Sequence, residues 1–315
     1  MILSCSNCGF RFSSLDMREE EIKCKCLKYS YKKNSSALIA IRCNESALEK
    51  AYVTEYRNIA DQDLVASFQP ESYLEKKAYF DFLNLGNVGG IDVLEIGPGQ
   101  GHLAKRIFEA GANLTIADVI PQYLETIQKK IEVKSLVVDV QKLGVSESFD
   151  LIIMCDVLEH VFRPSDALLS AWFALKPGGK LYVRVPSHES NIFYSNNLGY
   201  PYELVHLRTY SRSLLTRELL ASGFSVEKNN FLFETKGRIP RNWVPGTKKY
   251  WKIKRAAIAN YERGDMKFSI FDKVTEGLMQ SRFNDSHRFV NFVLNISKYL
   301  YTQPVEIAAL AIKPK

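Results

Sequence analysis

The 315-residue chain has no apolar run near the roughly 18–20 residues that would cross a bilayer, so no membrane span is expected. Its start, Met1 to Cys8, lacks a basic stretch and a long apolar core and does not read as a secretion signal. There is no internal repeat and no long low-complexity tract. Histidine is scarce, at five, which keeps the imidazole candidates few. Cysteine is scarce too, at six, and four of the six lie within the first 26 residues. A cytoplasmic location is expected, and disulfides are not. The length suffices for one large domain with a full core and an appendage. The net charge of +7 serves solubility, or favours anionic partners such as nucleotide-linked sugars, phosphates or RNA. That charge is uneven, because residues 236–255 hold eight Lys or Arg and no Asp or Glu.

What is present begins with Ile91-Asp-Val-Leu-Glu95-Ile-Gly97-Pro98-Gly99-Gln-Gly101. A short apolar run ends in three glycines at alternate positions, and His102-Leu-Ala-Lys-Arg-Ile-Phe108 continues with helical character. This reads as strand, tight turn and helix, the opening of a nucleotide-binding α/β unit. A dinucleotide fingerprint would need its third glycine at position 102, where histidine stands. No G-x-x-x-x-G-K-[ST] occurs at the turn, which excludes a P-loop there.

The spacing Glu95-x-Gly97-x-Gly99-x-Gly101 resembles the first motif of class I S-adenosylmethionine-dependent methyltransferases. Further pieces follow in the order that this resemblance implies. Leu114 to Asp118 is a second strand, its acid 21 positions after Gly97, near the spacing at which an acid meets ribose hydroxyls. Leu136 to Val140 is a third, with Asp139 where the family places an acid beside the adenine. Phe149 to Cys155 is a fourth, followed by Asp156-Val-Leu-Glu159-His160. A helix over 167–175 and the turn Lys176-Pro-Gly-Gly179 lead to a fifth strand, Lys180 to Val185. The fold expected is α/β, a Rossmann-like methyltransferase sheet with helices on both faces. The resemblance implies S-adenosylmethionine as cofactor, bound at Glu95, Gly97, Pro98, Gly99, Gly101, His102, Asp118, Val119, Asp139, Val140, Cys155 and Asp156.

Cys5-Ser-Asn-Cys8-Gly9 resembles a zinc knuckle, and Cys24-Lys-Cys26 follows after 15 residues. Four thiolates from two such turns make a tetrahedral site, so Cys5, Cys8, Cys24 and Cys26 are the expected ligands of a structural zinc. The second pair is C-x-C where the usual ribbon has C-x2-C, and Cys43 could replace one of its members. The organisation expected is a zinc-ribbon-like segment over 1–45 and a helical, cofactor-covering segment over 46–90. The methyltransferase core follows over 91–235, then a helical insertion over 236–300 and the last strand of the core over 301–315. In the covering segment, Tyr52, Tyr56 and Tyr73 could meet the cofactor or substrate, or simply pack. In the insertion, Arg241, Trp243, Trp251 and Arg255 mix cations with flat rings, suited to an anionic acceptor or to a solvated face.

Methyl transfer from a sulfonium needs an in-line nucleophile, exclusion of water and, for a hydroxyl, a base. His160 and His206, with Glu159, are the catalytic candidates, and His188 is a further imidazole. Asp156-x-x-Glu159-His160 also resembles metal-assisted relatives that methylate RNA 3′ ends. The reading is an S-adenosylmethionine-dependent methyltransferase of a small polar acceptor, a sugar or activated sugar of polysaccharide or natural-product biosynthesis. The alternatives are an RNA methyltransferase that holds RNA with ribbon and basic insert, and a non-catalytic cofactor-binding scaffold subunit. A homo-oligomer is compatible with the sequence.

Overall fold

The computed structural model describes residues 2–5, 11, 21–24, 26, 29–33, 38–43, 47, 50, 51, 53, 54, 57, 71–187, 207–236 and 302–315. The chain divides into two compact units. One comprises Met1–Val185, Ser213–Asn229 and Ala308–Lys315; the other comprises Pro186–Arg212 and Asn230–Ile307. In the second unit, Ser187 bridges to Tyr210, whose side chain is buried. Most of the proposed insertion, with His188 and His206, lies outside the described residues, as do Cys8, Tyr52 and Tyr56.

The first unit is built on strands that the apolar runs foreshadow. Parallel strands covered on both faces read as nearly continuous Val/Ile/Leu runs. Such runs form β5 (Asp92–Ile96), β6 (Asn113–Asp118), β7 (Lys134–Val137) and β9 (Phe149–Cys155). Between them stand α2 (His102–Glu109) and α3 (Pro121–Gln128), and α4 (Pro164–Ala174) leads into β10 (Leu175–Pro186). Proline at the first turns of α3 and α4 suits positions whose N–H has no helical partner. Helix α1 (Glu71–Leu85) precedes β5; α5 (Arg212–Ala221) precedes β11 (Ser225–Lys236), and β12 (Thr302–Ile312) comes last.

The strand order is β11-β12-β10-β9-β5-β6-β7, extended beyond β7 by three strands of the N-terminal segment. From β5 the chain moves outward through β6 and β7, then returns to place β9 on the other side of β5. All pairings among β10, β9, β5, β6 and β7 are parallel. That reversal makes the carboxyl end of β5 a topological switch point, where open α/β sheets take ligands. The core lies along these strands, with Val93, Leu94, Ile116, Leu136, Ile152, Met154 and Val183 fully buried.

The N-terminal segment is continuous with this sheet. β2 (Glu21–Lys23), β3 (Tyr29–Lys33) and β4 (Leu38–Cys43) form an antiparallel run, and β4 pairs in parallel with β7. β1 (Ile2–Leu3) pairs antiparallel with β8 (Val145–Ser146) in a separate two-stranded ribbon. Among the described residues no helix is long and apolar enough to cross a membrane.

Candidate active site at the switch point

The glycine turn after β5 adopts a conformation open mainly to glycine. Gly97, Gly99 and Gly101 have φ of +69°, +52° and +81°. Gly97 N–H donates to the Ala117 carbonyl at 2.8 Å, which ties the turn to β6. A Cβ on Gly97 would lie 2.7 Å from Val157 Cγ2; around Gly99 no atom of the described residues stands within 4 Å of where a Cβ would be. The turn is therefore packed from behind and open at its middle. Gly101 caps α2 with no side-chain bond to the first helical N–H groups. The helix start thus leaves its donors for water or a ligand. His102 begins the helix, its Nε2 3.3 Å from Gln100 Oε1, and Pro98 is buried.

Acids occupy the neighbouring strand ends. Glu95 is 3% exposed, and its Oε2 has no hydrogen-bond partner among the described residues. Burial, reinforced by the charge of Asp81, pushes its carboxyl up to about 8. Asp118 closes β6, and its Oδ1 accepts from Ile120 N–H at 2.8 Å. Burial raises it to about 7 against the pull of the Ile120 and Val119 amides. Asp139 lies beyond β7, where it caps a 3₁₀ turn over Val140–Lys142. Its two oxygens accept from the Gln141 side chain at 3.1 and 3.0 Å, and Oδ1 also from Gln141 N–H at 2.9 Å.

After β9 the chain turns sharply at Asp156, whose φ of +58° is rare for a residue with a side chain. Its Oδ2 accepts from Lys77 Nζ at 2.5 Å and Arg184 Nη2 at 2.6 Å, while Oδ1 is buried without a hydrogen-bond partner among the described residues. Burial alone would raise Asp156, but Arg184 and Lys77 overcome it and hold the carboxylate well below its usual range. Arg184 Nη1 also pairs with Asp81 Oδ2, and Tyr182 Oη donates to Asp81 Oδ1 at 3.1 Å. Lys77 and Asp81 stand four apart on α1, so one face of that helix docks through charges on the ends of β9 and β10. Glu159 is wholly buried, both oxygens without hydrogen-bond partners among the described residues; burial and then the Asp156 charge drive its carboxyl far up. Glu159 Oε1 stands 3.8 Å from His160 Nε2 within the 3₁₀ turn Leu158–His160. Cys155, last of β9, is half-buried, and burial raises its thiol.

Of the residues expected from sequence, Glu95, the glycines, Asp118, Asp156, Glu159 and His160 lie at or just beyond the carboxyl ends of adjacent strands. Lys77, Asp81, Tyr182 and Arg184 were not anticipated. The signal was Arg184, a cation inside the run Leu181-Tyr-Val-Arg-Val185, because a buried charge requires a partner. At the opposite end of the chain, the Sγ atoms of Cys5, Cys24 and Cys26 all lie within 4.8 Å of one another. Cys8 lies outside the described residues, as does the side chain of Cys43.

The raised carboxyls fix the sign of a pH dependence. In the folded chain Glu95 and Asp118 keep protons that the unfolded chain has already released above its ordinary values of 4.5 and 3.8. Stability is then fullest near pH 4 for these two groups and is lost as pH rises through about 7 and about 8. Each retained proton contributes a slope of about 1.4 kcal/mol per pH unit within that window. Urea unfolding of ligand-free protein from pH 5 to 8.5 should show the decline, and Glu95→Gln should flatten its upper part. A variant that keeps the wild-type slope would remove Glu95 from this account.

The family described as Methyltransferase domain matches residues 94–183. The ubiquinone biosynthesis O-methyltransferase of Xanthomonas euvesicatoria is 31% identical over 103 residues, 30% of this chain and 43% of that protein. The enzyme of the same name from Albidiferax ferrireducens is 25% identical over 217 residues, 64% of this chain and 84% of its own. The chain thus spans less than half the length of the Xanthomonas relative that it matches. Among solved structures, an S-adenosylmethionine-dependent methyltransferase from Archaeoglobus fulgidus is similar in fold, with TM-score 0.50 and 16% identity over 76% of this chain and 94% of that one. So is a chain of the complex between the Haloferax volcanii Trm112 methyltransferase activator and a methyltransferase, with TM-score 0.50 and 14% identity over 84% of this chain and 97% of that one. Residues 94–183, which hold this glycine turn and strands β6, β7 and β9, thus match a methyltransferase domain, and the strand order is built on the fold shared with the Archaeoglobus fulgidus enzyme.

Proposed function

We propose that the chain transfers the methyl group of S-adenosylmethionine to a small polar acceptor, a sugar or activated sugar being the class favoured. The observation that carries the reading is the open glycine turn at the switch point with Glu95 and Asp118 buried on either side of it. Bound there, the cofactor supplies a methyl carbon on a sulfonium, already a good electrophile. Glu95 presents a buried oxygen without a hydrogen bond, suited to an ammonium group. Because its carboxyl sits at about 8, taking up a cation at pH 7 would release a proton. The start of α2 and the turn amides suit a carboxylate. Asp118 accepts from ribose hydroxyls, and Asp139, steadied by Gln141, borders the adenine. Pro98, His102, Val119, Val140, Cys155 and Asp156 would complete the lining around a cofactor held there.

His160 is the base proposed for an acceptor hydroxyl, with Glu159 buried 3.8 Å from its ring nitrogen as the second candidate beside it. His206 and the basic, aromatic insert (Arg241, Trp243, Trp251, Arg255) are proposed on the acceptor side and lie outside the described residues. The likeness to ubiquinone biosynthesis O-methyltransferases supports a small-molecule acceptor. We also propose that Cys5, Cys8, Cys24 and Cys26 hold one structural zinc ion.

The test is binding followed by transfer. Calorimetry should detect S-adenosylmethionine, and Asp118→Ala should weaken it by about 1–3 kcal/mol by leaving ribose hydroxyls unpaired. Unchanged affinity in that variant would sink the ribose assignment. Labelled cofactor incubated with activated-sugar, lipid-precursor and RNA pools should mark the sugar pool; label in RNA alone would replace the acceptor class.

A further inference from the structure

We propose that the cysteine cluster is a thiolate metal centre that clamps the N-terminal strand onto the loop of residues 139–148, so that metal occupancy sets cofactor affinity. The inference rests on the proposed function in taking Asp139 and Val140 as the adenine border.

Three sulfurs converge. Cys5 Sγ lies 3.6 Å from Cys26 Sγ, and Cys24 Sγ lies 3.3 Å from it. A disulfide would bring two of them to about 2.05 Å. Zn–S bonds of about 2.3 Å on a tetrahedron put sulfurs about 3.8 Å apart. Cys26 N–H donates to Cys24 Sγ at 3.4 Å, as a backbone amide does to a thiolate. Cys5 and Cys24 are 1% and 0% exposed, and the three sulfurs stand close enough for one ion to bridge them. A thiophilic divalent ion such as zinc suits an all-sulfur set, with Cys8 as fourth ligand by its spacing from Cys5.

The loop is tied directly to this cluster. Ile2 and Leu3 pair with Ser146 and Val145, and Ser4 N–H donates to the Gly144 carbonyl at 2.8 Å. The next residue is Cys5. Two paired residues are far too short a ribbon to hold themselves. The loop's other side is fastened to α4 and its approach, through Glu147 N–H to Phe173 O, Ser148 N–H to Ala174 O and Arg163 N–H to Gln141 Oε1, each at 2.8 Å. Gln141 is the residue that grips Asp139. A metal at the cysteines therefore fixes one of the two anchors of the loop that begins at Asp139.

The experiment uses the full chain, as purified, chelated and reloaded. Elemental analysis should find about one zinc per chain, as a single tetrahedral site requires. Chelation should weaken S-adenosylhomocysteine binding on the order of tenfold, and added zinc should restore it. Amide hydrogen exchange should quicken at residues 2–5 and 143–147 while Leu151 to Met154 stay protected. Zinc present with cofactor affinity unchanged after its removal overturns the coupling. No zinc from zinc-replete expression overturns the centre. Exchange quickened equally throughout the sheet overturns the local clamp, because the metal then holds the whole fold. Failure of the intact protein to bind S-adenosylhomocysteine counts against the proposed function instead, and the metal and exchange readouts still decide the clamp.

Discussion

Arg184→Met should destabilise the protein by about 3–5 kcal/mol at pH 7, read by urea denaturation. Arg184 is 4% exposed and pairs with both Asp81 and Asp156, the former 2% exposed. Removing the guanidinium leaves Asp81 buried and Asp156, 32% exposed, with the Tyr182 hydroxyl and Lys77 as their respective remaining described partners. That is the costly way to break a buried pair, because the Asp81 charge left behind is 2% exposed. Asp81, already pushed up by burial against the pull of Arg184, should then take a proton, so the loss should shrink toward acid pH. Asp81→Asn in the Arg184→Met background should recover part of it. Lys176 provides the comparison. It bridges Asp92 and Asp150 at 2.7 and 2.8 Å but is 36% exposed, with acids 43% and 37% exposed. Lys176→Met should cost only about 1 kcal/mol or less. If the two variants lose equal stability, burial is not what gives Arg184 its weight.

This network also marks the boundary of what the residues alone disclosed. The central strands were legible because each is a short apolar run ending in a turn signal or an acid, and β5, β6 and β9 begin within a residue of those runs. The acids at the strand ends were legible because they fall at the ends of consecutive apolar runs. The third strand ends earlier than expected: β7 stops at Val137, and Asp139 turns inward to cap a 3₁₀ turn. Aspartate competes with strand pairing by bonding its own backbone two residues on. β2, β3 and β4 were not read as sheet. Glu21-Ile-Lys23 and Tyr29-Ser-Tyr-Lys-Lys33 carry too little apolar alternation, and what holds them is pairing with β7 through β4, a long-range fact. Lys77 and Asp81 were invisible for the same reason. On a charged helix they read as a solvated i, i+4 pair, and only the fold brings Arg184 and Asp156 against them.

The second large effect separates two glycines of one turn. Gly101→Ala should cost about 2–4 kcal/mol, from left-handed backbone strain together with overpacking. At φ +81° the new methyl would stand 2.6 Å from Ile127 Cγ1 and 3.0 Å from its Cδ1. Ile127 is 2% exposed and belongs to α3, so it has little room to withdraw. The Gly101 carbonyl also accepts from Lys105 N–H at 2.9 Å, so a shift here disturbs the first turn of α2. Gly99→Ala meets nothing within 4 Å, and its φ of +52° lies in the tolerated left-handed region. Its cost to folding should be only about 1–2 kcal/mol, from the backbone alone. The order should reverse for the ligand. The space in front of Gly99 is where the proposed cofactor approaches the backbone, so its methyl should weaken S-adenosylmethionine binding more than it weakens the fold. Thermal unfolding and calorimetry on both variants provide the check. A Gly99→Ala protein that binds the cofactor as tightly as the wild type would move the ligand off this turn. A Gly101→Ala protein as stable as the wild type would mean that α3 yields where its packing says it cannot.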